Sequence, residues 1–227
     1  MAKTLGENRI MCGRYANHVH QMGEWVEILR DWPEDVETGY NIAPTQIIPA
    51  FTPEGGKAMR WGLVPHWSKE ASPKYATFNA RVESAAEKPA FRGAWKQSRT
   101  CLIPALGYYE WKGEKGNKQP YFVRPKDGDL MVMAGLWETW QRPDQEISSC
   151  TILTQSSQGN LIDLHHRMPI MLQPEQAERW LEQGTSITQE LVEYDAAQHL
   201  KCYPVSKTVN RSREEGESLT EPLTGTD

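Results

Sequence analysis

The sequence predicts one compact α+β domain rich in antiparallel strand. Three observations carry that expectation. The 227 residues suit one large domain or two small ones, and no internal repeat or central linker divides them. Short apolar runs separated by turn residues recur through the middle of the chain, as strands do. Two helical patterns flank those runs, and an apolar content of 38% with nine Trp and eight Tyr supplies enough bulk for a core.

The elements follow in order. Asn17 caps a helix to about Trp32, with Val19, Met22, Val26 and Leu29 on one face and Pro33 as its stop. Apolar runs follow at 47–51, 58–64 and 101–106. Next come 108–111, 120–124 and 130–137, which read as an antiparallel meander with Asp127-Gly128 as a tight turn. Residues 149–154 read as another strand. The stretch 174–184 is a helix, with Pro174 in its first turn and Gly184 as its stop. Residues 200–205 form a last strand. From about Arg211 the composition turns to Ser, Glu, Gly and Thr, so 211–227 reads as a disordered acidic tail.

Composition narrows the function classes. Residues 1–10 hold no apolar run long enough for a signal peptide, and nowhere do 18 apolar residues run uninterrupted. A cytoplasmic protein is expected, nucleoid-associated in a bacterium. The cysteines Cys12, Cys101, Cys150 and Cys202 lie far apart with no CxxC pair, which disfavours a zinc knuckle or a redox pair. Net charge is −5, yet between Lys57 and Lys126 14 Lys/Arg stand against 5 Asp/Glu. That basic middle either forms a phosphate-binding face or is a set of scattered solvated positions.

Several residues could carry chemistry. Cys12, within Met-Cys-Gly-Arg, is an inert buried thiol in one reading. In the other it becomes an N-terminal residue whose α-amine and thiol can both attack one aldehyde carbon, giving an imine and then a five-membered thiazolidine. Residues 1–11 block that chemistry unless they are absent or removed. Glu110 sits among aromatics in GYYEWK, either paired with Lys112 at a sheet edge or buried as a proton-transfer carboxyl. In LIDLHHRMP, His165 could act as a general acid or be a structural histidine. The adjacent His165 and His166 point different ways in most backbones, so no metal site is expected. FNARVES places Asn79, Arg81 and Glu83 at alternating positions. Asn79 can hold a polar oxygen or an amine, and Arg81 a phosphate. WGLVPHW and NIAPTQ offer aromatic and proline surfaces for base stacking or for the core.

The motifs MCGRY, YNIAPTQ, RWGLVPHW, FNARVES, CLIPALGYYEW, QPYF, LHHRMP and YPVSKTVN occur in the order seen in the SRAP family (SOS response-associated peptidases, also called abasic-site processing proteins). The resemblance covers about residues 11 to 210. It implies a compact domain around a curved, mainly antiparallel, barrel-like sheet with flanking helices. It also implies a protein that senses abasic sites in single-stranded DNA and forms a covalent, lyase-like crosslink through a cysteine exposed by loss of the initiator Met. Cys12 matches that nucleophile, and Asn79, Glu110 and His165 match the supporting catalytic residues. Arg14 and Arg81 match positions near the DNA backbone, and Pro44 and Trp67 match surfaces that meet the bases. A monomer without cofactor or metal is expected. The chain departs from the family pattern in its extension, 1–11, which is read as a misassigned start or a removed propeptide, and in His166, where the family often has another polar residue. The catalytic domain is then 12–210. Two rivals remain: a thiol peptidase that cuts off residues 1–11 with Cys12 as nucleophile and His165 as base, and a non-covalent single-stranded-DNA module.

Overall fold

The computed structural model describes residues 13–18, 22–72, 75–114, 116–128 and 130–223. The elements are β1 (Tyr15–Ala16), β2 (Ile47–Thr52), β3 (Gly55–Trp61), β4 (Asn79–Arg81), α1 (Val82–Ala85), α2 (Arg92–Lys96), β5 (Thr100–Ala105), β6 (Gly107–Lys112), β7 (Gln119–Pro125), β8 (Met131–Arg142), β9 (Gln145–Ser156), β10 (Arg167–Pro169), β11 (Met171–Leu172), α3 (Pro174–Gln183), α4 (Thr188–Glu193) and β12 (Leu200–Pro204).

Strands β9, β3, β2, β5 and β8 pair in sequence, and β8 pairs again with β9, so they close on themselves as a small barrel. All these pairings are antiparallel except β3 with β9. Closure satisfies backbone groups that an open edge would leave bare. The β8–β9 hairpin, register Gly135↔Ile152 to Arg142↔Gln145, is its longest component. A four-stranded sheet, in order β1-β6-β7-β12, packs against the barrel. Their shared interior joins Ile48, Met59, Trp61, Ile103, Met133 and Ile152 of the barrel to Tyr15, Tyr108 and Val123 of the second sheet. Each Leu- or Ile-sized side chain buried there contributes about 1.5–3 kcal/mol. A second cluster lies under α3, where Ala177 and Trp180 face the barrel and the Trp180 indole donates to the Cys101 carbonyl at 3.3 Å.

Helix α3 matches the expectation from its sequence: Pro174 opens it, the Gln176 side chain accepts the Gln173 amide at 3.0 Å, and Gly184 ends it at φ +63°. Three expectations are corrected. Among the described residues from 17 to 32 no long helix forms. The Asn17 amide instead fastens a loop, accepting from Gly39 N at 2.9 Å and donating to the Glu37 carbonyl at 3.0 Å, and Gly23–Trp25 forms a 3-10 turn. Val19 lies outside the described residues. Of the two pairings in the expected meander one forms: β6 pairs with β7, but the chain after Asp127-Gly128 crosses to the barrel, where β8 finds β5 and β9. Finally, residues 211–223 are not a loose tail. Leu219 is buried against Tyr109, Phe122, Val205 and Val209, the Asn41 amide donates to the Glu214 carbonyl at 2.8 Å, and the Tyr40 amide donates to Glu215 at 2.8 Å. One apolar anchor and matched backbone partners suffice to order a stretch whose composition is polar.

Candidate active site

Two segments meet where the second sheet abuts the barrel. Glu110 lies on β6, which runs between β1 and β7 and is therefore not an edge strand. Its side chain is only 3% exposed, and its Oε1 accepts the Trp111 amide at 3.1 Å. The edge pairing with Lys112 is thereby ruled out. His165 closes the 3-10 turn at Gly159–Asp163, and β10 follows directly. That strand and β11 slot in where β8 and β9 diverge: β10 pairs with Thr154–Ser156 at the end of β9, and β11 with Val132–Met133 of β8. The wedge brings the His165 Nδ1 to 3.9 Å from the Glu110 Oε2, with both side chains buried. Fifty-five positions of chain separate them, so only tertiary packing makes the pair. His166 is exposed, although its ring centroid stands 4.3 Å from that of His165, so the two rings touch rather than diverge.

Asn79 begins β4, which lies parallel to β9 in register Asn79↔Ile152. Preceding it, the Phe78 carbonyl accepts the Trp61 indole N–H at 2.9 Å, which ties β4 to the barrel wall. Arg81 ends the strand, exposed, and α1 starts behind it. On the other side, Tyr15 pairs with Tyr108 and the Tyr109 amide donates to the Arg14 carbonyl at 3.0 Å, so the chain runs along β6 toward Glu110 as it goes back to Gly13. Cys12 lies outside the described residues. The Arg14 guanidinium is half-buried, and its Nη1 is committed to Asn41 at 2.6 Å and to the Val209 carbonyl at 3.1 Å; burial lowers its pKa.

Pro44 sits in a turn ahead of β2. The Thr45 amide donates to the Trp61 carbonyl at 2.7 Å, with Thr45 held at φ +82°. Trp67 is 54% exposed, its indole donates to the Pro89 carbonyl at 3.1 Å, and with Pro65, Lys69, Tyr75 and Thr77 it lines a cavity of about 240 Å³. Parts of the basic middle serve structure instead of a phosphate face. Arg60 donates to the Gly62 carbonyl, Arg99 pairs with buried Glu138, and Lys57 lies over Trp137. Glu138 also meets His66 at 3.1 Å.

The sequence motifs named Arg167 and Glu83 without assigning them. Arg167 is buried and grips Glu83 with both terminal nitrogens, at 2.5 and 2.9 Å, while Nη2 reaches Thr154 Oγ1 at 3.2 Å. Burial works to raise the Glu83 carboxyl, but hydrogen bonds from Arg167 and the backbone, with the charges of Arg167 and Arg81, together hold its pKa below the ordinary value. Eighty-four positions separate the partners, and no local spacing betrays such a pair. Among the described residues no group of three or more His, Cys, Asp or Glu could hold a metal ion, and no helix is long and apolar enough to cross a membrane.

The model of the SOS response associated peptidase (SRAP) family matches residues 11–212. The chain belongs to the SRAP family. Among its SRAP relatives, the abasic site processing protein YoqW of Bacillus subtilis is 33% identical, covering 93% of this chain and 99% of that protein. YedK of Escherichia coli, with the same descriptive name, is 32% identical, covering 94% and 100%. A solved structure from Bacteroides thetaiotaomicron shares the fold, with a TM-score of 0.77 at 24% identity over 93% of this chain and 99% of that one.

Proposed function

We propose that this SRAP chain processes abasic sites in single-stranded DNA by forming a thiazolidine crosslink through Cys12 once that residue is N-terminal. The observation that carries the reading is the buried Glu110–His165 pair at 3.9 Å, beside the strand along which the chain runs back to Gly13. Cys12 is peptide-bonded to Gly13, and consecutive Cα atoms stand about 3.8 Å apart. The names of the relatives support the substrate class.

The chemistry balances without a cofactor. His165 donates a proton to the ring oxygen as the C1′–O4′ bond breaks, the C1′ hydroxyl releases its proton to solvent, and C1′ becomes an aldehyde. The Cys12 amine adds to C1′, Glu110 relays one amine proton to the carbonyl oxygen and then the second to the departing hydroxyl, and water leaves to give the imine. The thiol then adds across C=N, sulfur to carbon and proton to nitrogen. Asn79 holds the sugar or amine by hydrogen bonds. Arg14 and Arg81 contact phosphates, and Pro44 and Trp67 stack on bases where a paired strand would not fit. Each proton transfer is worth about 10²- to 10⁴-fold, and holding amine, thiol and aldehyde together adds more. Selectivity arises because intact nucleotides present no aldehyde.

The peptidase reading concerns the same residues: Cys12 would cut off 1–11, which would prepare the amine. Intact-mass spectrometry before and after incubation with an abasic oligonucleotide tests both. The expected result is a chain beginning at Cys12 that gains the DNA mass less one water. Cys12→Ala removes that adduct; a persistent adduct eliminates Cys12 as nucleophile.

A further inference from the structure

We infer that Glu138 is a positioning residue for Trp67, and that it acts through His66. The loop 62–68 follows β3 and is fastened to the β8–β9 hairpin at every second residue. The Val64 amide donates to the Ser149 hydroxyl at 2.8 Å. The His66 Nδ1 meets the Glu138 Oε2 at 3.1 Å. The Ser68 carbonyl accepts the Trp140 indole N–H at 2.8 Å, and the Arg142 guanidinium as well. On the hairpin the partners form one continuous row. Glu138, Trp140 and Arg142 alternate along β8 and so share a face. Ser149 lies opposite Glu138 and donates its hydroxyl to the Glu138 carbonyl at 3.3 Å. Trp67 stands between the fastenings at 66 and 68 and is itself 54% exposed.

The middle fastening differs from the other two, because a buried carboxyl group makes it. The Glu138 side chain is 2% exposed. Its Oε1 accepts the Thr139 amide at 3.1 Å and pairs with Arg99, which precedes β5, while its Oε2 faces His66. A carboxyl group withdrawn from water costs free energy unless its oxygens are engaged, and a well-packed apolar side chain in its place commonly serves stability as well or better. What an apolar residue could not do is hold an imidazole. Helix α2 closes on the ring from another side: a Cβ at Gly93 would stand 3.2 Å from the His66 Cε1 and 3.5 Å from the Glu138 Oε2. The imidazole is half in water, yet β8 and α2 hold it together.

Trp67 gains most from this strap. The chain is fixed on either side of it, and its indole N–H donates to the Pro89 carbonyl at 3.1 Å. An aromatic ring already in place stacks on a base without first giving up the freedom of its loop, whereas a ring on a loose loop loses that much affinity to ordering. Releasing His66 should therefore weaken binding by about threefold to tenfold and leave the proton transfers at Glu110 and His165 untouched. This consequence rests on the function proposed above, in which Trp67 stacks on bases; the strap itself is read from the contacts alone.

The test pairs anisotropy on a single strand carrying a ring analogue that cannot open with single-turnover crosslinking to an abasic strand at saturating protein. His66→Ala removes the exposed end of the strap and leaves the buried Glu138–Arg99 pair intact. It is expected to raise the Kd for the analogue strand about threefold to tenfold, with crosslinking at saturation within about twofold of wild type. His66→Asn, whose Nδ2 can reach the same carboxyl oxygen, should restore the affinity. Added to Trp67→Ala, His66→Ala should cost nothing more, since both act at one ring. Wild-type affinity in His66→Ala, where Trp67→Ala binds weakly, overturns the positioning role and leaves base stacking standing. An additive double variant overturns action through Trp67. If Trp67→Ala binds as well as wild type, the stacking in the proposed function falls, and the positioning role with it. Affinity losses as expected in a protein that never captures abasic DNA uphold the strap and defeat the crosslinking function instead.

Discussion

Replacing Glu110 by Gln removes a charge and almost no volume. The variant's carboxamide oxygen can still accept the Trp111 amide, so β6 should keep its local geometry. What disappears is a buried carboxyl group 3.9 Å from the His165 Nδ1. With an effective dielectric of about 20, two unit charges at that distance interact by roughly 4 kcal/mol. Spent entirely on the transition state, that is roughly a thousandfold in rate, inside the range of about 10²- to 10⁴-fold for one general acid–base group. The assay is single-turnover crosslinking to an abasic single strand, followed on denaturing gels at saturating protein. Binding is measured separately by anisotropy on a strand carrying a ring analogue that cannot open to an aldehyde. Crosslinking should slow by about 10²- to 10⁴-fold, with analogue affinity unchanged within about threefold and stability within about 1 kcal/mol. A crosslinking rate near wild type would refute proton transfer by Glu110. Parallel loss of rate and affinity would make it a folding residue.

Arg81→Ala should weaken analogue binding on strands of any sequence and reduce the slope of log affinity against log salt by about one, as for one lost phosphate contact; an unchanged slope would remove Arg81 from the DNA path. Gly107→Ala would place a Cβ 2.4 Å from the Val123 carbonyl oxygen and 2.5 Å from the Phe122 ring, which β6–β7 pairing cannot relieve. Thermal unfolding should show a loss of about 2–4 kcal/mol, and a wild-type Tm would mean that the strands separate freely there. Burial raises the Cys101, Cys150 and Tyr109 pKa values above their ordinary ones of 9.0, 9.0 and 10.0. Their stabilising contribution is complete below about pH 9, and is lost as the pH climbs toward the raised folded values, because the unfolded chain releases these protons first. Urea unfolding from about pH 7 to pH 10.5 should lose up to about 1.4 kcal/mol per pH unit for each such group, and a flat profile would contradict the burial.

Legibility in the sequence tracked the range of the interactions. Helix α3 was readable because Pro174, Gln176, the apolar pair Ala177 and Trp180, and Gly184 all act within one element. The Glu110 strand was readable by alternation, and its aromatic neighbours hinted at burial. The helix from Asn17 was misread because the side chain that can cap a helix can equally bind a distant loop, at Glu37 and Gly39. The crossing of the chain between β7 and β8 was invisible, since a tight turn looks alike whether the next strand returns to its neighbour or joins another sheet. The tail was misread because composition does not register that Leu219 finds a pocket. At the site, the motifs supplied Asn79, Glu110 and His165 as candidates, while the contact between the last two came from the β10–β11 wedge.

The sequence by itself determined the residue types, the family and most of the strands, since periodicity and ordered motifs are properties of neighbours along the chain. Tertiary structure alone decided that the barrel closes through β8 and β9, that Glu110 and His165 stand 3.9 Å apart, and that Glu83 grips Arg167 across 84 positions. The physical reason is that burial and ion pairing depend on distance in space and on exclusion of water. Both arise only when segments remote in sequence pack together.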